Sequence, residues 1–183
     1  MTLELRPFLS VLGALALVAV ISEARVESVG GATATFDAVG PGGLNIHGST
    51  PDLSATEKDG KVVVKVALAN LTTGISLRDE HMRNNYLEVE KFPEAVVAVE
   101  RSKLKFPAKG VNVRDQVPGA MTIHGVTRTV TLSYAAVARG EKIAVEGSAP
   151  IDLRDFGIRV PSYLGVGVDP HVKLKVHFKV IDR

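Results

Sequence analysis

The last stretch of the chain, His171-Val-Lys-Leu-Lys-Val-His-Phe-Lys-Val-Ile-Asp182, alternates apolar with charged or polar residues almost without a break. Val172, Leu174, Val176, Phe178 and Val180 fall on one side; His171, Lys173, Lys175, His177 and Lys179 fall on the other. Successive side chains of a strand point to opposite faces, so this is the pattern of a strand that is wet outside and buried inside. A strand of this kind has to be one wall of a structure that encloses its apolar face.

The same pattern recurs upstream. Val62, Val64, Val66 and Leu68 oppose Lys61 and Lys65, and Val130, Leu132, Tyr134 and Ala136 oppose Thr129, Thr131 and Ser133. Strands are predicted over residues 27–36, 43–48, 61–69, 94–102, 119–124, 128–139, 142–151 and 171–181, divided by turn signals such as Asp59-Gly60, Pro118-Gly119 and Arg139-Gly140. Eight or so strands with short connections predict an antiparallel barrel or sandwich. Closure into a barrel is the economical choice because it leaves no exposed sheet edge. One helical interruption is predicted over residues 77–89, where Met82, Tyr86 and Val89 form a stripe at i, i+4 and i+7. Phe92-Pro93 then returns the chain to extended backbone. No internal repeat or linker divides the chain, which reads as one domain.

Composition narrows the function class. The formal charge is +2, and the lysines lie on alternate strand positions instead of in one block, which argues against nucleic acid. There is no Cys, hence no disulfide, no thiol nucleophile and no lipidated N-terminal Cys. Arg6 precedes an apolar run over residues 8–21, and Ser22-Glu23-Ala24 places small residues at the −3 and −1 positions of a cleavage site. Residues 1–24 are therefore expected to be a signal peptide and residues 25–183 an exported domain, periplasmic or secreted. The apolar run is shorter than the ~20 residues of a spanning helix, so no stable membrane span is expected in the mature form.

The motifs of enzyme chemistry are sparse. There is no Gly-x-Ser-x-Gly elbow and no phosphate-cradling glycine loop. Arg78, Asp79, His81 and Arg83 form a polar cluster that either contacts a ligand head group or, through an Asp79 to Arg83 pair at i, i+4, merely stabilises the short helix. His47 and His124 each sit in an Ile-His-Gly step, which reads first as a strand-ending turn. His171 and His177 share a strand face but lie about 20 Å apart at ~3.3 Å per residue, too far to share a metal. A site assembled from distant strands, such as His81 with His124, stays open at this level. Tyr163 suits a lumen wall, a mouth-loop plug or a packing position, with the loop preferred, and Phe156 is expected to cap the core near one barrel end. Aromatic residues make up 5% of the chain, Trp is absent, and the apolar strand positions are mostly Val and Ala. Small linings leave space, so a lumen ligand is preferred over a barrel filled by its own side chains.

Longer motifs carry a family resemblance. Leu71-Thr-Thr-Gly-Ile-Ser-Leu-Arg-Asp-Glu-His-Met-Arg83, followed by Tyr86-Leu87 and Lys91-Phe-Pro93, resembles the signature of the YceI-like proteins, and Met121-Thr-Ile-His-Gly-Val-Thr127 resembles their second signature. Asp155-Phe-Gly-Ile158 and the final strands fit the same pattern. The resemblance implies a lipocalin-like antiparallel eight-stranded β-barrel, with a short helix after the third strand, exported in bacteria and holding a polyisoprenoid or related lipid. It departs at Val29-Gly30-Gly31, where many members carry a His-Ser pair.

These readings converge on a non-catalytic carrier for a long apolar lipid, a polyisoprenoid or isoprenoid quinone, with neither cofactor nor metal. The ligand-contacting residues are expected to be Arg78, Asp79, His81, Met82, Tyr86, Phe92, His124, Phe156, Tyr163, Leu174, Val176 and Phe178. The alternatives are an enzyme acting on a lumen-bound lipid through Arg78, His81 or His124, and a protein whose apolar surface binds a partner chain.

Overall fold

The computed structural model describes residues 26–160, 162–163 and 166–182; the expected signal segment lies outside them. The strands are β1 (Val26–Ser28), β2 (Thr33–Val39), β3 (Asn45–Thr50), β4 (Leu53–Lys58), β5 (Lys61–Ala67), β6 (Glu94–Glu100), β7 (Asn112–Ile123), β8 (Val126–Arg139), β9 (Lys142–Asp152), β10 (Ser162–Tyr163), β11 (Val166–Gly167) and β12 (His171–Asp182). Helix α1 (Ser76–His81) runs into a π-helical turn over Met82–Tyr86.

Antiparallel pairing runs β1-β4-β5-β6-β7-β8-β9-β12, and β1 pairs back onto β12 to close an eight-stranded barrel. The predicted first strand, residues 27–36, is two strands. β1 pairs with the end of β12 and β2 with its earlier half, as Val26↔Asp182 and Lys173↔Asp37 show. The break falls at Gly30, whose φ of 78° lies in the left-handed region that glycine alone adopts freely. β3 and β4 likewise form one bent arm, with β3 beside β2 and β4 between β1 and β5. The bend leaves β3 unpaired with β5, and the chain after β5 fills the gap: Ser49 and Thr72 exchange two backbone hydrogen bonds at 2.9 and 3.0 Å.

Three local expectations are corrected. β4 was not predicted, because Leu53 and Ala55 are the only apolar residues on its inner face, although Ala55 is fully buried. Pro118-Gly119 is not a turn but the middle of β7, opposite Thr131 and Val130. β6 pairs with β7 only from Ala120 to Thr122, so Pro118 lies where the strand has a partner on one side only. The helix is shorter than residues 77–89. The Leu87 amide bonds to the Met82 carbonyl, an i to i+5 step, and Glu88 with φ 46° ends the turn.

Two apolar clusters divide the interior. One, around Met121, Ile123, Ile151 and Phe156, occupies the end where β9 finishes and β12 begins. The other, around Val26, Ala55, Phe178 and Val180, occupies the opposite end.

Candidate functional site

A cavity of about 760 Å³ runs between these clusters, inside the 300–1,000 Å³ range of small-molecule sites. Val172, Leu174, Val176, Phe178 and Val180 all line it, as the alternation of β12 requires. At ~3.3 Å per residue that stretch is about 26 Å long. The facing walls are the inner positions of β5 and β8, including Val62, Val64, Val66, Leu132 and Ala136. On the outer faces Lys61 pairs with Glu100 and Lys65 with Glu94, at 3.4 and 3.1 Å, so the two-faced strands separate charge from lumen as their period dictates.

The two ends differ. At one, the lining side chains Ile75 and Leu77 are 54% and 64% exposed, so the lumen opens there, beside α1 and the Pro41–Gly43 turn. At the other, Leu104 and Phe106 line the lumen and are half-buried. Arg101 lies over the Phe106 ring at 4.2 Å, donates to both Asp182 carboxylate oxygens at 2.9 and 3.0 Å, and faces Glu57 at 3.2 Å. Glu57, the Arg101–Phe106 segment and Asp182 come from three separate stretches of chain, and no local signal in the sequence marks them as a group.

The polar cluster of α1 holds a loop. Asp79 is buried and accepts from the Thr72 hydroxyl (2.5 Å), the Thr73 amide (2.7 Å) and the Thr73 hydroxyl. Burial raises the Asp79 carboxyl, but these bonds and the nearby Arg83 charge outweigh it and hold its pKa below the usual value. Arg78 donates to the Thr73 hydroxyl and carbonyl oxygens at 2.7 and 3.0 Å, and Arg83 donates to the Leu71 carbonyl oxygen at 2.9 Å. The expected Asp79 to Arg83 ion pair is not formed among the described residues, since Arg83 reaches the loop backbone instead. Arg78 and His81 also line the cavity near its mouth, together with Met82 and Tyr86. The π-helical turn puts Leu87 on the cavity wall in place of Val89, the third residue of the predicted stripe.

Asp79, Phe92, His124 and Phe156 do not line the cavity. Phe92 and His124 contact each other, ring centroids 4.5 Å apart, and His124 Nε2 bonds to Glu88 at 2.8 Å. This contact joins the two sequence signatures in space. Phe156 is 1% exposed and packs within the cluster at the open end. The Tyr163 side chain lies outside the described residues.

The two Ile-His-Gly steps have different fates. His124 and Gly125, with φ of 51° and 73°, form the two-residue turn between β7 and β8, as the sequence led one to expect. His47 and Gly48 instead lie inside β3. Gly48 sits opposite Phe36, and a Cβ there would come within 2.1 Å of the Phe36 ring. Glycine at this position makes room for a lumen side chain.

A model of the YceI-like domain matches residues 21–180. The chain belongs to the YceI-like family. Among curated relatives, a UPF0312 protein of Pseudomonas putida strain W619 is 28% identical over 144 residues, 71% of this chain and 72% of that protein. Another, from Pseudomonas aeruginosa strain LESB58, is 32% identical over 107 residues, 55% of this chain and 53% of its own length. Of solved structures, a polyisoprenoid-binding domain from Saccharophagus degradans aligns with a TM-score of 0.73 at 15% identity, covering 88% of this chain and all of that one. Burkholderia cenocepacia BcnA aligns with a TM-score of 0.66 at 18% identity, covering 81% of this chain and 95% of its own. At these identities the structural likeness establishes the YceI-like barrel fold.

Proposed function

We propose that this YceI-like protein is a non-catalytic carrier for a long apolar lipid of the polyisoprenoid type, working outside the cytoplasm. The observation that carries the reading is the cavity itself, a lumen walled mainly by Val, Leu, Ile and Ala side chains, with Arg78 and His81 near its mouth. Each CH₂ moved from water into it contributes about 0.8 kcal/mol, so a prenyl chain is held along its length and needs no strong anchor. The likeness to a domain described as polyisoprenoid-binding supports the same ligand class. His124 and Asp79 do not line the lumen and are engaged by Glu88 and by the Thr72–Thr73 pair, which favours binding over catalysis.

Length gives the reading a scale. An extended carbon chain advances ~1.3 Å per single bond of ~1.5 Å, so the ~26 Å lumen takes up about five prenyl units. The test is native mass spectrometry of the purified mature protein, followed by organic extraction. A stoichiometric prenyl lipid is the expected result; a substrate and product pair would point to an enzyme, and an empty barrel with a copurifying chain to a partner protein. Export is checked on the same sample, where the N-terminus is expected at Arg25.

A further inference from the structure

Among the described residues five large apolar side chains are exposed: Val39, Leu44, Ile75, Leu77 and Val111. Val111 precedes β7 at the closed end, but the other four belong to the two segments that rim the opening. These segments approach one another because the Ser49–Thr72 bridge ties β3 to the chain leading into α1. Gly42 and Gly43, both with positive φ, turn the first segment tightly, and Leu44 after them is 58% exposed. Ile75 and Leu77 are at once exposed and part of the cavity wall, so the apolar lining continues out of the lumen onto the surface.

Charge is distributed to match. Residues 38–46 and 70–77, which rim the opening, contain no Asp, Glu, Lys, Arg or His in a chain that is 23% charged. Turns of the closed end are dense in charge: Lys58-Asp59-Gly60-Lys61, Arg101-Ser102-Lys103 and Arg139-Gly140-Glu141-Lys142. The apolar part of the rim, flanked by Arg78 and His81 at the mouth, is disfavoured in water and suits a hydrocarbon boundary.

We propose that the open end seats on a lipid bilayer, with Ile75 and Leu77 entering the boundary between headgroups and acyl chains and Leu44 and Val39 beside them. This rests on the carrier reading and deepens it by naming where the lipid is exchanged. A prenyl chain leaving the bilayer would then pass along Ile75 and Leu77 into the lumen without its surface crossing water. Apolar insertion also makes the contact tolerant of salt, since ions screen charges but not apolar burial.

The experiment compares wild type, the double variant Val39→Ser with Leu44→Ser, whose side chains are exposed at the rim and do not line the cavity, and Val111→Ser. Each is floated with vesicles of phosphatidylcholine and phosphatidylglycerol at low and high salt, and each is timed as it takes a fluorescent prenyl lipid from those vesicles. Binding of farnesol, added directly, is measured in parallel. The double variant is expected to lose vesicle association and to slow uptake by at least about tenfold, since two large apolar groups are removed from the contact. It should keep farnesol binding, which also shows that it folds, and Val111→Ser should match wild type throughout. Wild type that ignores vesicles, association abolished by high salt, or a double variant with normal uptake would overturn the docking proposal. Loss of farnesol binding in wild type would instead overturn the carrier reading on which it stands.

Discussion

Asp79 and Thr73 are bound to each other twice: the Thr73 amide, at 2.7 Å, and the Thr73 hydroxyl both donate to the same carboxylate oxygen of Asp79. The other oxygen takes the Thr72 hydroxyl, and the Thr72 backbone bridges to Ser49 of β3. One buried carboxylate thus fixes the segment that fills the gap in the barrel wall beside the opening.

Replacing Asp79 by Ala leaves those donors without their acceptor and is expected to cost about 1–3 kcal/mol of stability, read from urea unfolding. The pH dependence has a definite sign. The Asp79 pKa is lowered in the folded protein, so its contribution is fully present above the unfolded value near ~4 and is lost as pH falls through the folded value. Asp79→Asn should accordingly flatten the acid limb of the stability curve. An unchanged limb would show that the ionised form is not what the threonines stabilise.

Leu174 and Lys179 test the two faces of β12. Leu174 lines the lumen, whereas Lys179 is exposed opposite Ala144. Leu174→Asp buries a carboxylate in an apolar wall and is expected to abolish lipid binding or folding, at a cost of several kcal/mol. Lys179→Asp should change stability by under about 0.5 kcal/mol. Lys175 is the poorer control, because its ammonium pairs with Asp37 at 2.6 Å. Circular dichroism and a prenyl-lipid titration of both variants decide the matter, and equal tolerance would contradict the assigned faces.

Gly48→Ala should cost about 1–3 kcal/mol through overpacking, because the new methyl group meets the Phe36 ring. In a Phe36→Leu background the same substitution should cost clearly less. A double-mutant cycle by chemical denaturation measures the coupling; additive effects would mean that Gly48 answers to something other than that ring.

Ligand length should dominate ligand head group. Shortening a prenyl ligand by one unit removes up to about 4 kcal/mol before offsetting losses, at ~0.8 per CH₂, and the gain per unit should level off beyond about five units, where the ~26 Å lumen ends. Arg78 already donates to the Thr73 hydroxyl and carbonyl oxygens, so Arg78→Ala is expected to lower stability while keeping measurable affinity for a long prenyl ligand. Isothermal titration across a ligand series gives both answers. Complete loss of binding in a folded Arg78→Ala protein would show that the head group controls affinity.

Much of the barrel is legible without coordinates. The inward faces of β5, β8 and β12 follow from a period of two, because side-chain direction along a strand is fixed by the local backbone alone. The short helix and the turn at His124-Gly125 are also local features, written in residues that neighbour one another. The long signature likewise points to α1 and the segment before it, but not to what each polar side chain there touches.

Tertiary structure decided the rest. Whether Arg78 and Asp79 face a ligand or a loop depends on where residues 71–74 pass, and that path is set by pairing with β3 more than 20 positions earlier. The far-end closure joins Arg101 to Asp182 across 81 positions, a proximity that arises only when the barrel closes. The two Ile-His-Gly steps show the division most directly. Their local sequence is the same, yet His124-Gly125 turns the chain between β7 and β8, while His47-Gly48 continues a strand because β2 pairs alongside it and Phe36 needs the space above Gly48. Local patterning determined the wall of this protein, and contacts between distant parts of the chain determined what its polar residues hold.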